Sequence, residues 1–380
     1  MLKQIFRKIL RPRFKYQPLV RVLVFKNRLR NNLRQFQDNF PKVRFAPVLK
    51  SNAYGHGLVE VGKILDDCNL PFFVVDSFYE ALVLRNSGIA TKILVIGYST
   101  LEHLANTNLK DIAFTIVSFG QLEELAENLA RPTRVHLKID TGMHRQGVLP
   151  EQLEQAISLI RSNPRLILEG VCSHLADADG KSREFTEKQI AAWNSVVQKC
   201  RSAFPQIKYW HLSNSAGAVF SPEIQANVVR LGIGLYGFDQ SGEMPGLKPC
   251  LALETLVTGV KDIQPGDFVG YNITFKAAVP MKIATLPAGY YEGVDRRLSS
   301  LGQVQVQGRY CKILGRVSMN LTVVDVSGLS GVKVGDKATV ISPELGDENS
   351  APALAKLCDT ITYDILVRIP QHLRREVIHE

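Results

Sequence analysis

The constraint that dominates this chain is an alternation of two hydrophobic patterns. Between about residue 20 and residue 240, short apolar runs such as Phe45–Leu49, Phe72–Val75, Ile93–Ile96, Ala113–Val117, Arg134–Ile139 and Leu166–Val171 are separated by amphipathic stretches such as Gln121–Leu129, Glu151–Arg161 and Glu184–Ala203. Runs that are apolar throughout suit strands covered on both faces, the condition of a parallel sheet. Strand and helix alternating this often predict parallel βα units. A TIM-type (β/α)8 barrel takes about 250 residues, close to the length available here, so closure into a barrel is the expected architecture.

The texture changes after Pro249. Short alternating segments take over, among them Leu251–Val260, Val279–Pro287, Gln303–Gln307, Tyr310–Leu314, Leu321–Val326 and Lys337–Ile341, with Pro265-Gly266-Asp267 and Gly335-Asp336 as turns between them. This pattern predicts a second, mainly β domain, and the stretch from Gly242 to Gly246 marks the boundary. The expected division is a basic extension over residues 1–18, a barrel over 19–245 and a β domain over 246–380.

Charge is unevenly placed. The first 50 residues hold 14 lysines and arginines and a single acid, Asp38, whereas the other 330 hold 32 basic and 35 acidic side chains. This argues against a uniformly basic nucleic-acid-binding surface, and no nucleic-acid partner is expected. Leu2, Ile5, Phe6, Ile9 and Leu10 recur at helical spacing among Lys3, Arg7, Lys8 and Arg11. Two readings stay open for residues 2–16: contact with an anionic membrane surface, or a short surface helix or unstructured tail. The N-terminus lacks the apolar centre and cleavage site of a signal peptide, and no run of about 18 apolar residues occurs. Six cysteines, none in a CxxC pair, are expected to be reduced in a cytoplasmic protein. Eight scattered histidines without an HExxH pattern give no metal site.

Lys50 stands at the end of the run Phe45–Leu49 and is followed by Ser-Asn-Ala-Tyr54-Gly55-His56-Gly57. In a barrel, catalytic side chains are presented at the C-terminal ends of strands. A lysine placed there can be desolvated, and burial favours the neutral amine, the form that attacks carbonyls. The whole string resembles the pyridoxal-phosphate attachment motif of the alanine racemase family. The likeness continues in order along the chain. It includes His136-Leu-Lys138-Ile-Asp-Thr-Gly-Met143-His144-Arg145-Gln-Gly147, Ser173-His174-Leu-Ala, His211-Leu-Ser-Asn214-Ser215-Ala-Gly217 and Val229-Arg230-Leu-Gly232-Ile233-Gly-Leu-Tyr236. In the second domain Val269-Gly-Tyr271, Gly289-Tyr290-Tyr-Glu-Gly293, Gly315-Arg316-Val-Ser-Met319-Asn320 and Ile361-Thr-Tyr363-Asp364 complete the series.

The resemblance implies that Lys50 carries pyridoxal 5'-phosphate and acts as acid and base on one face of the substrate's α-carbon, with Tyr271 on the other face. Racemisation needs both, because a proton removed on one side must be returned on the opposite side. A phenol can serve only where nearby positive charge assists it, and the resemblance brings Arg145 and His174 close. It further implies that Arg230 contacts the ring nitrogen of the cofactor. An arginine only donates hydrogen bonds, so that nitrogen would stay unprotonated and side reactions would be suppressed. Asn214, Ser215, Gly232 and Ile233, with the hydroxyls of Tyr54 and Tyr363, are the expected phosphate site. His211 would support Arg230. Arg145 and Met319 would hold the substrate carboxylate, and Tyr290 would line the entry channel. Lys138 matches a position carbamylated in some members.

The implied activity is interconversion of L- and D-alanine, supplying D-alanine for peptidoglycan, by a homodimer whose sites are shared between subunits. A serine or broader amino-acid racemase, a barrel-type decarboxylase and a non-catalytic cofactor-binding protein are the alternatives. Three features depart from the family pattern: Asn320 replaces an aspartate, His144 precedes Arg145, and Val20–Phe25 stands in place of the usual first-strand signature.

Overall fold

A computed structural model describes residues 17–106 and 110–380; the reading made for residues 2–16 lies outside them. Eight short parallel strands form the barrel: β2 (Arg44–Pro47), β3 (Phe73–Val75), β4 (Ile93–Val95), β5 (Ile112–Ile116), β6 (Thr133–Lys138), β7 (Leu166–Cys172), β8 (Tyr209–His211) and β9 (Val228–Leu231). Strands β3 to β8 pair in sequence order, and β9 pairs with β2. The ring closes through a bridge between Val48 and Val74 on one side. On the other, the Asn227 and Arg230 amides donate to the Trp210 and Ser213 carbonyls at 3.0 and 3.1 Å. Almost every residue of these strands is buried, which is why their sequences read as continuous apolar runs.

The strand expected at Val20–Phe25 forms, as β1 (Arg21–Phe25), but not in the barrel. It pairs antiparallel with β10 (Leu251–Leu256) and parallel with Arg375–Ile378 in a six-stranded sheet of the second domain. A strand followed by a helix looks like a βα unit in sequence. Its partners, more than 220 residues away, are what assign it to the other sheet. Helix Lys26–Asn39 then carries the chain to β2, burying Leu29, Leu33 and Phe36.

The β domain contains two departures from its sequence reading. The run Leu251–Val260 breaks at Val257, so that β10 and Gly259–Ile263 belong to different sheets. Two short helices, Ala351–Leu357 and Thr362–Val367, also interrupt the strands. The second of them packs over the barrel mouth: a Cβ on Gly55 would lie 2.1 Å from the Leu366 carbonyl oxygen. The six cysteines are unpaired. Among the described residues no helix is long and apolar enough to cross a membrane.

Candidate active site

Lys50 leaves β2 at the barrel mouth and enters an unusual turn. Ser51, Asn52, Ala53 and Tyr54 all have φ between 52° and 56°, in the left-handed region. Non-glycine residues there cost roughly 1–2 kcal/mol each, so the turn must be held from outside. The Ser51 amide donates to Glu80 Oε1 at 2.7 Å, and the Leu58 amide to Asn52 Oδ1 at 2.9 Å. Beneath the turn the buried His56 ring donates from Nδ1 to the Ala53 and Tyr54 carbonyls. Burial keeps this histidine neutral, lowering its pKa to about 4. Glu80 also forms the reciprocal cap of helix Phe78–Asn86 with Ser77. The Ser77-x-x-Glu80 pattern announces that cap, but nothing in the sequence links it to Lys50.

The turn opens onto a cavity of about 310 Å³ at the C-terminal ends of the strands. Lys50, Tyr54, Lys138, Arg145, His174, His211, Asn214, Ser215, Arg230, Gly232, Ile233 and Tyr363 all line it. Thr115 and Cys172 join them without having been expected, and Thr115 Oγ1 is buried there with no partner.

Arg230, on β9, is buried and held almost completely. Its Nη1 donates to the Nδ1 and carbonyl of His211 at 2.8 and 2.9 Å. Its Nη2 donates to the Ser173 and Leu212 carbonyls and to His174 Nδ1, at 2.7, 2.9 and 2.8 Å. The remaining donor, the Nε–H, has no partner among the described residues. Burial, and after it the charge of Arg230, push His174 and His211 well below the ordinary imidazole range. His174 is therefore neutral, and the positive charge expected from Arg145 and His174 together falls to Arg145.

The loops after β8 and β9, the latter strand paired with the β2 that leads to Lys50, present free amides. The Ser215 and Ile233 N–H groups make no hydrogen bond within the described chain. The Gly232 amide is already used, donating to Ser215 Oγ at 2.9 Å. Asn214 caps the turn that follows, its Oδ1 accepting from the Gly217 amide at 2.8 Å. The Tyr54 and Tyr363 rings lie 5.7 Å apart beside these amides, and Tyr363 donates to Gln240 Oε1. Burial raises the proton affinity of both phenols, that of Tyr363 to about 12; both stay protonated donors. Lys138 donates to Gln146 Oε1 at 3.2 Å, and burial lowers its pKa.

The other three expected residues lie elsewhere. Tyr271, Tyr290 and Met319 are on the β domain, 68%, 43% and 55% exposed, and do not line the cavity. They share one surface: the Tyr290 amide donates to the Ser318 carbonyl at 3.0 Å, and Gly270, before Tyr271, abuts Arg316. Phe268, Ile273 and Leu321 are also exposed in these segments.

Comparison with known proteins gives the family. Residues 24–240 match the alanine racemase N-terminal domain and residues 250–377 the alanine racemase C-terminal domain. The chain belongs to the alanine racemase family. It is 34% identical over 360 residues to the alanine racemase of Methanococcus maripaludis, covering 92% of this chain and 96% of that one. With an alanine racemase of Listeria monocytogenes it shares 33% over 359 residues, covering 92% and 95%. Among solved structures, alanine racemase from Clostridium difficile 630 superposes with a TM-score of 0.88 at 30% identity, over 96% of this chain and 97% of the other. The Bacillus anthracis alanine racemase with bound L-Ala-P gives 0.86 at 30%, over 96% of each chain. As a member of this family the protein is a racemase, an isomerase by reaction class.

Proposed function

We propose that this racemase interconverts L- and D-alanine with pyridoxal 5'-phosphate, using Lys50 and Tyr271 as the two bases, in a cytoplasmic homodimer. The observation that carries the reading is the donor set of the cavity. One primary amine, one free arginine N–H and two free amides beside two protonated phenols match an aldehyde, a ring nitrogen and a phosphate in turn. Bound pyridoxal phosphate would supply a covalent link for the amino group and an electron sink that makes the α-proton acidic.

The chain's own groups would do the rest. Lys50 would hold the cofactor and then accept or return a proton at Nζ on one face of the α-carbon. Arg230, fixed through both terminal nitrogens, would offer its Nε–H to the ring nitrogen without giving up a proton. Ser215 and Ile233 amides, with the Tyr54 and Tyr363 hydroxyls, would bind the phosphate. Arg145 would grip the substrate carboxylate, assisted by the Met319 backbone, and Lys138 would steady Arg145. A neutral primary amine at Lys138 is the form that carbamylation requires. Its lowered proton affinity therefore favours that modification.

Tyr271, Tyr290 and Met319 cannot reach the cavity of their own chain as they stand. Their exposure on a common face with Phe268, Ile273 and Leu321 supports a second copy as the receiver, each subunit completing its neighbour's site. Supply of D-alanine for peptidoglycan is the role that such an activity would serve. The test is borohydride reduction of the cofactor-loaded protein, peptide mapping, and turnover of L-alanine beside L-serine and L-lysine. Label on Lys50 and preference for alanine support the reading; label elsewhere, or preference for serine or lysine, overturns it.

A further inference from the structure

His136 occupies a place that the proposed reaction does not explain. It is 1% exposed in the middle of β6, well below the cavity mouth, and it does not line the cavity. A buried imidazole is costly unless it is hydrogen-bonded, and this one is given a built site and a partner for Nδ1. The pairing of β6 with β7 shifts register after Val135, from Val135 opposite Leu168 to His136 opposite Gly170. Such a bulge re-aims a side chain. A Cβ on Gly170 would stand 2.6 Å from His136 Nδ1, so the glycine leaves the room that the ring occupies. Phe72 meets the ring edge-on and Tyr209 stacks along it, with centroids 5.5 and 5.7 Å away.

The ring so placed touches one polar group of consequence. His136 Nδ1 lies 2.8 Å from His211 Nε2, and His211 Nδ1 lies 2.8 Å from Arg230 Nη1. An arginine can only donate, so His211 Nδ1 must accept and the single proton of the neutral ring sits on Nε2. Among the described residues that proton has one acceptor, His136 Nδ1, which places the proton of His136 on its own Nε2. The chain Arg230, His211, His136 thus runs one way, and each imidazole has one permitted tautomer.

We propose that His136 is a positioning residue for Arg230: it accepts the Nε2–H of His211, fixes the tautomer that receives Arg230, and so keeps the Arg230 Nε–H directed at the cofactor site. The inference rests on Arg230 as the partner of the cofactor's ring nitrogen. Without the acceptor, His211 would hold a buried unpaired N–H or adopt the opposite tautomer, which would set an N–H against Arg230. Partners that orient a functional side chain typically carry about 10- to 100-fold in activity.

Two substitutions separate this role from packing. His136→Asn puts a carbonyl oxygen where Nδ1 stood; His136→Leu keeps volume and removes the acceptor. The expected result is a kcat for L-alanine lowered about 10- to 100-fold in His136→Leu with KM little changed, and largely restored in His136→Asn. Equal rates for His136→Leu and the unaltered protein, or equal loss in both variants, overturn the proposal. The second readout uses the unaltered cofactor-free protein, so it survives a variant that fails to fold. In 15N-resolved spectra of its histidines, His211 is expected as the Nε2–H tautomer, and a proton on Nδ1 overturns the proposal. Loss of the Lys50 assignment would show separately, as borohydride label on another residue of the unaltered enzyme.

Discussion

The Asn320 side-chain amide donates to Glu292 Oε1 at 2.7 Å, while Glu292 Oε2 accepts the Gly289 amide at 2.9 Å. The buried carboxylate thereby ties the turn carrying Tyr290 to the segment carrying Met319. Against the family pattern Asn320 is the loss of an aspartate's negative charge; in the fold it is a donor that satisfies a buried acid. Asn320→Asp would set two carboxylates face to face without a proton donor. A loss of about 1–3 kcal/mol is expected, seen as a lower urea midpoint, together with a raised KM for alanine. The exchange Glu292→Gln with Asn320→Asp restores one donor and one acceptor across the gap. It should recover most of both losses. Failure of the double variant to recover would show that charge at 320, not the hydrogen bond, is what matters.

The proposal that the site is shared between subunits makes a sharp prediction about mixtures. Lys50→Ala and Tyr271→Phe should each be inactive alone. In a mixed dimer so built, Lys50 of one chain would meet Tyr271 of the other, leaving one of its two sites intact. Random reassociation in equal amounts should then return about a quarter of the native activity, since half of the symmetric pairings are mixed. Unfolding and refolding the two variants together, then measuring D-alanine formation, checks this. A mixture as inactive as its components would place both bases in one chain.

Legibility from sequence followed the range over which each feature is encoded. The barrel strands were readable because both faces of β3 to β8 are buried, which leaves unbroken apolar runs. Twelve cavity residues were readable because they lie in contiguous strings around Lys50, Arg145, His174, Asn214, Arg230 and Tyr363. β1 was misplaced because its partners, Leu251–Leu256 and Arg375–Ile378, are distant in the chain and leave no local mark. Glu80 and His136 were visible as residues but not as parts of the site. Each acts through a single hydrogen bond to a segment far along the chain, Ser51 for one and His211 for the other.

Three buried histidines and the partly buried His174 give the fold a defined response to acid. Burial, the main cause for each, keeps His56 neutral down to about pH 4 and His136 down to about pH 3, from an ordinary value of 6.5. His174 and His211 shift in the same direction. The unfolded chain takes up these protons near pH 6.5 while the native chain does not, so stability present above that value is lost as pH falls towards 3. Each such histidine adds a slope of about 1.4 kcal/mol per pH unit inside the window. Urea unfolding at intervals between pH 7 and 4 should show a midpoint that drops steadily below 6.5. His136→Asn removes one titrating group and should flatten the slope by that amount. An unchanged slope would mean that His136 is protonated in the native state.

Gly55 is where the β domain bears on the turn after Lys50, and its replacement should uncouple the two. Its φ is +82°, and an added Cβ would stand 2.1 Å from the Leu366 carbonyl oxygen on the helix that carries Tyr363. Gly55→Ala therefore suffers twice, from a left-handed backbone costing roughly 1–2 kcal/mol and from a clash with backbone that cannot swing aside. Gly88 has nearly the same φ, +83°, with nothing within 4 Å of an added Cβ. Gly88→Ala should show the backbone cost alone. The difference in urea midpoint between the two variants then measures the contact with Leu366. Only Gly55→Ala should also weaken retention of pyridoxal phosphate during dialysis, because Tyr54 and Tyr363 flank that contact on either side. Equal behaviour of the two variants would mean that the helix Thr362–Val367 shifts freely and does not set the geometry of the site.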